Sequence, residues 1–572
     1  MTEHWTLASP SFSQDSLQPF QESLGISLHL AKLLQAIGLD TLEAAKDFLY
    51  PKLAQLEDPF EITNLKTAAQ RLVKAIESKE TIYLIGDYDV DGVTSTVLFL
   101  CLLKELKHEA KYFIPRRMDE GYGLSQGAIE RLLSEGKPDL LCVLDSGTNA
   151  YQEVAYLQEK GIEVIIIDHH QPKNELPDCI IVNPHVYDAA EKPWKDMCTV
   201  GLVFKLMHAL LKLLKETSPD LIQHIRLSDH LDLVAMGTIA DLMPLSRENR
   251  ILVKQGLKRL QQPSRLGLKA LYAVSDIDSA HIQPLDISFK IGPRINASGR
   301  LADAALPVDM LLSNDPSYCL QLAQELDAMN RERQDIERLI FQEAQAQVER
   351  HFKDDPSLIL HDEEWHSGVV GIVAGRLARQ YKRPCIVLGK EGIYAKGSGR
   401  SASGVNLIEA LKRCSSVLKN FGGHPMAVGL SLEPECLKEF RILLNKALVE
   451  DQNTSEARPE LKIALQLQAQ DISSAFLDEL LLLHPYGEAN AEPIFAIENV
   501  VLSKKPEAFG EGHYRFSLKV AKGEWAYGVA WKQGHKVPPA HVPIDLAVKL
   551  YWNHWNKRKN IQLELIDWRL AS

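Results

Sequence analysis

The sequence lacks the features that mark secreted and membrane proteins. Its eight cysteines are scattered and form no CxxC pair, which argues against a disulfide framework or a zinc knuckle and favours reduced thiols. No apolar run approaches the roughly 20 residues of a membrane-spanning helix. The opening MTEHWTLASPSF also lacks the charged-then-apolar pattern of a signal peptide. We therefore expect a soluble cytoplasmic protein with no membrane partner.

An excess of positive charge is also missing, since 76 acidic residues outnumber 64 basic ones and the net charge is −12. This balance argues against a uniformly basic nucleic-acid-binding surface. It does not exclude a local basic groove, because steering depends on how charge is distributed. The chain has no fixed-period repeat and no low-complexity segment. Its 572 residues exceed what one hydrophobic core supports, so we expect three or more domains.

A strand-then-helix rhythm begins near residue 80. The apolar strands are read in TIYLIGDYD, KYFIPRR, DLLCVLDSGTN and IEVIIIDHHQP, and amphipathic helical segments separate them. Apolar runs that alternate with such helices predict a parallel sheet buried on both faces. Acids and histidines follow the strand ends, so they should converge on one edge of the sheet, where open α/β sheets bind ligands.

The remaining chain predicts further domains. We expect a helical segment over 1–55, the parallel-sheet domain over 56–315, a connector helix over 316–352, a second α/β domain over 353–450 and a small β domain over 458–572. The polarity of the stretch from Ser317 to Phe352 favours a connector helix outside the core. The apolar–polar alternation of the last hundred residues predicts an antiparallel β domain, most simply a barrel.

Carboxylates and imidazoles gather at the predicted sheet edge. They are Asp87, Asp89, Asp91, Asp145, Asp168, His169, His170 and Asp241. So many charged groups cannot be desolvated together without a counterion. A carboxylate-rich set with little imidazole suits Mn²⁺ or Mg²⁺ better than zinc, and two such ions would form a clamp for in-line attack on phosphorus.

The spacing within GDYDVDG distinguishes its three acids. Asp89 and Asp91 lie two residues apart, so in an extended segment their side chains would leave the same face and serve neighbouring metals. Asp145, from another strand, would bridge the two ions. Asp87 is interpreted as a supporting catalytic residue that orients the site or caps the turn. A single Asp at a strand end is more often a cap or turn residue, so the prediction depends on the clusters occurring together.

DYDVDG, LDSG, DHH and GTIAD, in this order, resemble the four motifs of the DHH phosphoesterases. Further segments, among them IPRRMDEGYGLS, IVNPH, PRINASGRL, LDAMNRERQDIE, WHSGVVGIVAGRLA, KGSGRS and GGHPMAVGL, are similar to the RecJ branch. The resemblance covers most of the chain between about 80 and 495. It implies a DHH catalytic domain, a DHHA1 domain and an OB-like barrel. The implied activity is 5′→3′ exonuclease action on single-stranded DNA, in repair and recombination, which releases 5′-mononucleotides by two-metal-ion hydrolysis.

The resemblance also implies roles for individual residues. One metal would be held by Asp89 and Asp145, and the other by Asp91, Asp145, His169 and Asp241. His170 would contact the scissile phosphate. Ile85 stands where related enzymes carry a metal-binding histidine, so His169, His170 or water would have to complete the first site. The LDSG motif replaces a more usual DCG, which keeps the carboxylate and makes Ser146 its neighbour.

A second set of residues would bind the strand. KGSGRSASG is rich in glycine and hydroxyls around Arg400, which suits a phosphate cradle, with a flexible turn as the alternative. By resemblance, Ser398 and Arg400, with Arg294 or Arg300, would cap the 5′-terminal phosphate. His424 would contact a nucleotide, unless its glycine neighbours only mark tight packing. Arg376 and Arg379 would line the cleft, or belong to a solvated helix face.

The segment YWNHWNKRKN near the C-terminus combines rings with positive charge. The single-strand-binding candidates in it are Trp552, Trp555, Lys557 and Arg558, beside Tyr551 and Lys559. Aromatic stacking with basic charge is how OB folds hold single strands without reading sequence. The alternative is a hairpin with a basic tip over core tryptophans.

Two other functions stay open. A DHH-family phosphatase of short oligonucleotides or nucleoside bisphosphates would use the same site, but its usual members are shorter and lack the β domain. A non-catalytic single-strand-binding replication scaffold would have lost motif acids, and all four motifs are present. The resemblance implies a monomer in the bacterial cytosol that works at the nucleoid. Its substrate would be single-stranded DNA, and a single-strand-binding protein and a DNA helicase are candidate partners.

Overall fold

The computed structural model describes residues 4–7, 14–116, 120, 123–173, 175–301, 304–353, 355–402, 404–451, 460–555 and 558–571. The chain forms two compact units. One comprises Met1–Asp58, Leu242–Lys258 and Ala457–Ser572, and the other comprises Pro59–Asp241 and Arg259–Glu456. Within the described ranges, no helix combines the length and the apolar character needed to cross a membrane.

The chain begins with a short strand and three helices. These are β1 (His4–Leu7), α1 (Gln14–Leu24), α2 (Leu28–Ala36) and α3 (Leu42–Leu49). Hydroxyl side chains start the last two helices, since Ser27 accepts a hydrogen bond from the Leu30 amide and Thr41 accepts one from the Ala44 amide. Such caps satisfy amides that have no partner within the helix.

A five-stranded sheet follows and carries the predicted site. Its elements are α4 (Leu65–Glu77), β2 (Ile82–Ile85), α5 (Val90–Glu105), β3 (Ala110–Phe113), α6 (Gln126–Ser134), β4 (Leu140–Leu144), α7 (Tyr151–Glu159), β5 (Glu163–Ile167) and β6 (Ile180–Val182). The strand order is β3-β2-β4-β5-β6 and every pair is parallel. The predicted parallel sheet is therefore confirmed, with β6 as a strand that its short apolar run had not revealed.

Further helices follow along the chain. They are α8 (Pro184–Tyr187), α9 (Thr199–Thr217), α10 (Pro219–Ile222), α11 (Leu231–Ala240), α12 (Arg247–Gln261), α13 (Leu266–Ser275), α14 (Pro284–Asp286), α15 (Gly292–Leu301), α16 (Leu306–Leu312) and α17 (Pro316–Gln347). All lie in the same compact unit as this sheet except most of α12, whose residues up to Lys258 belong to the other unit. Helices α5, α9 and α11 pack against one another. Gly237 permits this close approach, because a Cβ there would lie 2.7 Å from Thr94 Oγ1 and 2.7 Å from Val200 Cγ1.

Helix α17, with the π-helical turn Val348–Phe352 that continues it, matches the predicted connector in length. Its exclusion from the core was wrong. One stripe is buried, at Cys319, Leu322, Ala323, Leu326, Asp327, Asn330, Arg333, Ile340, Phe341 and Ala344. These residues recur at helical spacing among charged ones, so the mean polarity of the segment hides a face that packs against α13, α15 and α18.

The second α/β domain contains β7 (Leu358–His366), α18 (Val370–Tyr381), β8 (Cys385–Glu391), β9 (Tyr394–Arg400), α19 (Leu407–Lys412), β10 (Asn420–His424), β11 (Ala427–Leu432) and α20 (Leu437–Asp451). Its sheet has the order β10-β11-β9-β8-β7. Only the β7–β8 pair is parallel among these described strands. Strand β9 ends with Ser398 and Arg400, so the predicted phosphate cradle lies at the end of a strand, against α18.

The C-terminal elements are β12 (Glu460–Ile463), β13 (Leu465–Leu467), α21 (Ser474–Leu480), β14 (Phe495–Val501), β15 (Glu507–Phe509), β16 (His513–Lys519), β17 (Trp525–Ala530), β18 (Pro543–Trp555) and β19 (Arg558–Leu570). Seven of them form one sheet of order β13-β14-β18-β19-β17-β16-β15. Its core also contains Phe20, Leu30 and Leu34. The N-terminal helices and the C-terminal sheet therefore share one hydrophobic core, although they lie at opposite ends of the chain.

The start of α12 belongs to the same unit. Arg250 Nη2 donates to the carbonyl oxygens of Leu483 (3.0 Å) and His484 (3.1 Å), and its guanidinium lies 3.5 Å from the centroid of the Phe48 ring. Lys254 Nζ donates to the Leu49 and Leu482 carbonyl oxygens, both at 2.8 Å. These bonds satisfy carbonyls at helix ends, and they join three distant segments of sequence.

The close approach at Gly237 gives the first prediction. Gly237→Ala should destabilise the protein by about 1–3 kcal/mol, because the added methyl overpacks the contact of α11 with α5 and α9. The matched control is Gly201→Ala in α9, where a Cβ would meet Met197 at an ordinary 3.5 Å. There the better helix propensity of alanine should leave stability unchanged or about 0.5–1 kcal/mol higher. Urea unfolding of both variants measures the difference, and equal effects would refute the packing account.

Candidate active site

The GDYDVDG segment passes from strand β2 into helix α5. Asp87 is buried, and its Oδ1 accepts a hydrogen bond from the Tyr88 amide at 2.8 Å. Asp89 caps α5 by accepting from the Gly92 amide at 3.1 Å, and Asp91 lies in the first turn. The prediction of an extended segment through Asp91 was wrong, because the helix begins at Val90. A capping position and a first-turn position bring both side chains to the same edge.

Asp91 is held by the N-terminus of α9. Its Oδ2 accepts from the Thr199 amide at 2.7 Å and its Oδ1 from the Val200 amide at 2.8 Å. The side chain is 1% exposed. The first amides of a helix carry partial positive charge and stabilise an anion there. The α9 N-terminus therefore orients this carboxylate without a positively charged side chain.

Asp145 directly follows strand β4 and has an unusual backbone conformation. Its φ of +62° lies in the left-handed region, which non-glycine residues seldom adopt and which often marks functional sites. Its amide still donates to the Ile167 carbonyl at 3.0 Å. Its Oδ1 accepts from Thr199 Oγ1 at 3.0 Å. Thr199 therefore contacts both Asp91 and Asp145, and no motif in the sequence marks it.

Asp168 positions His170. Its Oδ1 accepts from the amides of His169 (2.8 Å) and His170 (3.1 Å) and lies 2.7 Å from His170 Nδ1. Burial opposes ionisation of both partners, but their hydrogen bond outweighs it. The pKa of Asp168 is held below its usual value, and that of His170 is raised to about 9. His170 is therefore a cation at neutral pH, oriented by a carboxylate.

The backbone of His170 has a further support. Asn183 Nδ2 donates to the His170 carbonyl oxygen and to Thr148 Oγ1, both at 2.9 Å. The Thr148 amide in turn donates to Asp168 Oδ2 at 3.1 Å. The motif IVNPH contains this asparagine, so the sequence marks the segment without disclosing the contact.

His169 lies at the centre of the acids. Its Nε2 is 3.3 Å from Asp145 Oδ1, 3.4 Å from Asp241 Oδ2 and 3.9 Å from Asp91 Oδ2. Burial lowers the pKa of His169 despite the surrounding carboxylates. The imidazole is therefore neutral at neutral pH, which is the form that binds metals.

Three overlapping groups of potential ligands meet at this edge. In each group the ligand atoms lie within 4.8 Å of one another. The groups are Asp87, Asp89 and Asp145; Asp91, His169 and Asp241; and Asp145, His169 and His170. Ile85 is fully buried among apolar side chains and offers no ligand. Asp87, interpreted from the sequence as a supporting residue, is placed to supply the ligand that Ile85 lacks.

These acids oppose one another electrostatically. Burial raises the pKa of Asp91 and raises that of Asp145 well above its usual value, and repulsion by Asp91 adds to the effect at Asp145. Burial, with repulsion by Asp91 and Asp89, raises the pKa of Asp241 to about 8. Asp241 Oδ2 is buried and accepts no hydrogen bond from any described residue. Oxygen ligands that repel one another beside a neutral imidazole fit Mn²⁺ or Mg²⁺.

The predicted phosphate-binding residues meet at the start of α18. Arg300 Nη1 donates to the Gly368 carbonyl oxygen at 2.6 Å. A Cβ at Gly371 would lie 3.1 Å from Ser398 Oγ and 3.5 Å from Arg400 Nη2. Arg300, Ser398 and Arg400 therefore surround one short segment.

Arg294, the alternative to Arg300, is engaged elsewhere. Its Nη2 lies 2.8 Å from Asp327 Oδ1, and its Nη1 donates to the Lys290 carbonyl oxygen at 2.7 Å. Both bonds join α15 to its neighbours in the fold. Arg294 is thus tied to α17 and to the turn before α15, whereas Arg300 reaches the start of α18.

A small polar cavity of about 150 Å³ lies beside these groups. It is lined by Ala240, Ser288, Gly292, Pro293, Asn296, Arg300, Arg333 and Ile372. Asn296 Oδ1 is buried and accepts no hydrogen bond from the described part of the chain. Arg333 is 9% exposed and donates to Asn330 Oδ1 and Glu337 Oε2. Nothing in the segments PRINASGRL and LDAMNRERQDIE distinguished Asn296 or Arg333 as residues that line a cavity.

Of the other predicted contacts, Arg376 is linked to the cavity, among the described bonds, only through Glu337, which it shares with Arg333. His424 is exposed, and its Nδ1 accepts from the Met426 amide at 3.3 Å. Arg376 lies 3.9 Å from the centroid of the Phe341 ring and 3.7 Å from Glu337 Oε1. Arg376 therefore packs on α17, although half of its side chain is exposed.

In the C-terminal hairpin, Trp552 is half-buried. Its Nε1 donates to Asp478 Oδ1 at 3.0 Å, and Lys559 Nζ lies 4.0 Å from its ring centroid. These contacts agree with the alternative of a hairpin over core tryptophans. The side chains of Trp555 and Arg558, and all of Lys557, lie outside the described residues.

The raised pKa of Asp241 gives a pH prediction. This pKa is about 8 in the folded protein and about 3.9 in an unfolded chain. The folded state therefore holds an extra proton between these values, and stability in EDTA should fall as pH rises from about 4 to 8. Asp241→Asn should make the fall shallower and raise the free energy of unfolding by about 1 kcal/mol or more at pH 8.

Thermal unfolding in EDTA across this pH range measures the effect. The control is Asp335→Asn, which removes an exposed carboxylate of α17 that pairs only with Arg338 in the described bonds. If stability falls with pH equally steeply in wild type and in Asp241→Asn, the raised pKa of Asp241 is contradicted.

Three family models match the chain. They are the DHH family N-terminal domain over residues 81–238, the DHHA1 domain over 354–450 and the RecJ OB domain over 463–567. Together they account for the parallel-sheet domain, the second α/β domain and the C-terminal sheet. The fold class expected from the sequence is therefore confirmed.

The chain is similar to curated proteins named single-stranded-DNA-specific exonuclease RecJ. The Bacillus subtilis protein is 37% identical over 98% of this chain and 70% of its own length, and the Haemophilus influenzae protein is 33% identical over 90% and 92%. The crystal structure of Thermus thermophilus RecJ in complex with Mn²⁺ matches with a TM-score of 0.83 and 28% identity, over 100% of this chain and 80% of that one. Similarity at this level over nearly the whole chain leads to one conclusion: the protein belongs to the RecJ family.

Proposed function

We propose that the protein is a 5′→3′ exonuclease that hydrolyses single-stranded DNA to 5′-mononucleotides with two divalent cations. The observation that carries the proposal is the convergence of the four motifs on one site, where a carboxylate oxygen of Asp91, of Asp145 and of Asp241 each lies within 3.9 Å of His169 Nε2. The names of the relatives and the Mn²⁺ and Mg²⁺ complexes of the Thermus thermophilus enzyme support the same reading.

One cation is assigned to Asp87, Asp89 and Asp145, and the other to Asp91, His169 and Asp241, with Asp145 as a further ligand because its Oδ1 lies 3.3 Å from His169 Nε2. When bound, the two ions would polarise the attacking water and neutralise the charge that develops on the phosphate. Asp145 belongs to both sets because it lies in reach of both. The assignment differs from the one that the family resemblance implies only in the addition of Asp87.

His170 would bind the scissile phosphate, and Asp168 would orient His170. Asp168 fixes the His170 ring through Nδ1, and the oriented imidazole would donate to a non-bridging oxygen of the scissile phosphate. The raised pKa keeps this imidazole protonated at neutral pH, so it meets the phosphate as a cation. Charge-assisted hydrogen bonds of this kind are about twice as strong as neutral ones.

The residues around Gly368 and Gly371 would determine that cleavage starts from the 5′ end. Arg300, Ser398 and Arg400 would hold the 5′-terminal phosphate, and the adjoining cavity, too small for a whole nucleotide, would take part of the first one. An anchored 5′ end presents the next phosphodiester to the acids. Repeated anchoring then shortens the strand from its 5′ end.

The proposals for cellular location, oligomeric state and partners rest on the family resemblance alone. We extend the proposal to a cytoplasmic monomer that acts on strands prepared by a DNA helicase and covered by a single-strand-binding protein. His424, Arg376 and the hairpin residues around Trp552 stay in the proposal as secondary contacts to the strand.

Strands labelled at the 5′ or the 3′ end test the proposal directly. With Mn²⁺ or Mg²⁺ the 5′ label should appear first as a mononucleotide, and EDTA should stop its release. Asp145→Asn should lower turnover at least about 10³-fold, because it weakens both cation sites, while strand binding survives. Asp335→Asn is the matched control and should be fully active.

Each other outcome has a distinct meaning. Release of the 3′ label first would overturn the proposed polarity. Activity limited to di- and trinucleotides would favour the phosphatase, and binding without cleavage would favour the scaffold. Turnover retained in Asp145→Asn would refute the cation assignment.

The 5′-phosphate pocket has its own test. Arg400→Gln and Arg300→Gln should each reduce the preference for a 5′-phosphate over a 5′-hydroxyl end by about tenfold or more, because each removes a charge-assisted hydrogen bond. Arg331→Gln is the control, since this arginine of α17 is 74% exposed and pairs with Asp327 at the surface. The ratio of kcat/KM on the two ends is the readout. An unchanged ratio in both pocket variants would remove these residues from the role.

A further inference from the structure

Two buried acids of the site are held in place in different ways. Asp91 accepts hydrogen bonds from the backbone amides of Thr199 and Val200, which any residue except proline would supply. Asp145 instead accepts from a side chain, since Thr199 Oγ1 donates to its Oδ1 at 3.0 Å. Among the described residues, no backbone amide donates to the Asp145 carboxylate. The orientation of this carboxylate therefore depends on a hydroxyl that serine or threonine must provide.

The Asp145 carboxylate needs such a support because its surroundings push against it. The charges of Asp91 and Asp89 repel it, while its Oδ1 lies 3.3 Å from His169 Nε2. Rotation of a carboxylate about its last side-chain bond has a broad energy minimum, so repulsion by itself would turn the group away from the neighbouring acids. The bond from Thr199 fixes this rotation, with Oδ1 directed toward the start of α9.

Thr199 is itself fixed in place. It is the first residue of α9, it is fully buried, and its amide donates to Asp91 Oδ2 at 2.7 Å. Its β-branched side chain has few rotamers available. The hydroxyl is therefore held at a set position relative to Asp91, and through it Asp145 is held at a set position as well.

Thr199 thereby joins two groups of potential ligands. Asp145 belongs to the group that contains Asp89, and Asp91 belongs to the group that contains His169. A residue that contacts an acid of each group without being a ligand can set the separation of the groups. Two cations that act together on a phosphate must lie about 3.5–4 Å apart, so this separation matters for the site.

We propose that Thr199 is a positioning residue of the two-cation site, and that its hydroxyl holds Asp145 in the orientation that binds the cation assigned to Asp87, Asp89 and Asp145. Its amide acts separately, because it holds Asp91 whatever the side chain is. The proposal rests on the cation assignment of the proposed function. It adds a residue that is not a ligand and lies outside the four motifs.

Titration calorimetry with Mn²⁺ in the absence of DNA tests the proposal. Thr199→Val has nearly the same shape, lacks the hydroxyl and keeps the amide that holds Asp91. It should weaken the binding of one Mn²⁺ ion by about tenfold or more, the effect typical of losing a hydrogen bond to a metal ligand. The other ion should be nearly unaffected, because Asp91, His169 and Asp241 remain in place. Thr199→Ser keeps the hydroxyl and should bind both ions as tightly as wild type.

Thr63→Val is the matched control. Thr63 Oγ1 also donates to a carboxylate, that of Asp188, at 2.6 Å and in the same compact unit. Neither residue belongs to the described groups of potential ligands. The control should therefore bind both ions as wild type does.

A double-mutant cycle separates the bond from a general effect on the fold. In an Asp145→Ala background the hydroxyl has no carboxylate to hold, so Thr199→Val should cause no further loss of Mn²⁺ affinity. Thr199→Ala also removes the hydroxyl and should show the same loss as valine. It replaces the valine variant if circular dichroism shows that valine prevents folding.

Strand hydrolysis gives a second readout. Because the ligands themselves are intact in Thr199→Val, the Mn²⁺ concentration for half-maximal rate should rise about tenfold. The rate at saturating Mn²⁺ should stay close to that of wild type. A purely structural role would lower the rate at every Mn²⁺ concentration.

Three results would overturn the proposal. Thr199→Val that binds both ions as tightly as wild type would show that the hydroxyl does not position Asp145. An equal loss of affinity in Thr199→Ser would assign the effect to packing, and an equal loss in the Asp145→Ala background would assign it to another contact. If wild type binds fewer than two ions or fails to hydrolyse single strands, the proposed function fails, whereas a normal wild type with an unaffected Thr199→Val refutes the positioning role alone.

Discussion

The structure depends on keeping several carboxylates close together in a desolvated place. Asp91 and Asp145 are each 1% exposed, and their repulsion is not cancelled by a lysine or arginine in the described bonds to them. Backbone amides at the N-terminus of α9 and the Thr199 hydroxyl hold them in position instead. This support fixes geometry without neutralising charge, so the site suits divalent cations.

The same arrangement explains where the fold is strained. Asp145 adopts a left-handed backbone conformation, and Asp241 keeps a buried oxygen without a hydrogen bond from the described residues. Proteins tolerate such costs where function needs them and offset them in the surrounding core. Here the offset comes from the close packing of α5, α9 and α11, which Gly237 permits, and from a sheet whose strands are buried on both faces.

The order of strands and motifs could be predicted from sequence because each rests on a local pattern. Apolar runs gave the parallel sheet, and the carboxyl ends of parallel strands meet at one edge whatever the loops do. The position of Asp87 within 4.8 Å of potential ligand atoms of Asp89 and Asp145 could not be predicted, since a capping acid and a metal-binding acid look alike in the sequence. The same holds for Arg294 and Arg300, which lie in one motif but separate into a structural ion pair and a pocket residue.

The other features that could not be predicted from the sequence depend on packing between segments that are distant in the chain. The helices before residue 50 join the core of the C-terminal sheet, and no local pattern indicates a partner so distant in sequence. The polarity of α17 concealed its buried stripe, because average polarity says nothing about which face is apolar. In the C-terminal sheet, alternation predicted that half of the aromatics face outward, but only the register shows that the exposed ones lie on β17.

The central claim is that Asp145 is shared by two cations. Equilibrium binding of Mn²⁺, measured by calorimetry with the number of bound ions as the readout, tests it most directly. Wild type should bind two ions per chain, Asp89→Asn should weaken one of them, and Asp145→Asn should weaken both by about tenfold or more. A single ion in wild type, or two ions bound by Asp145→Asn as tightly as by wild type, would contradict the account.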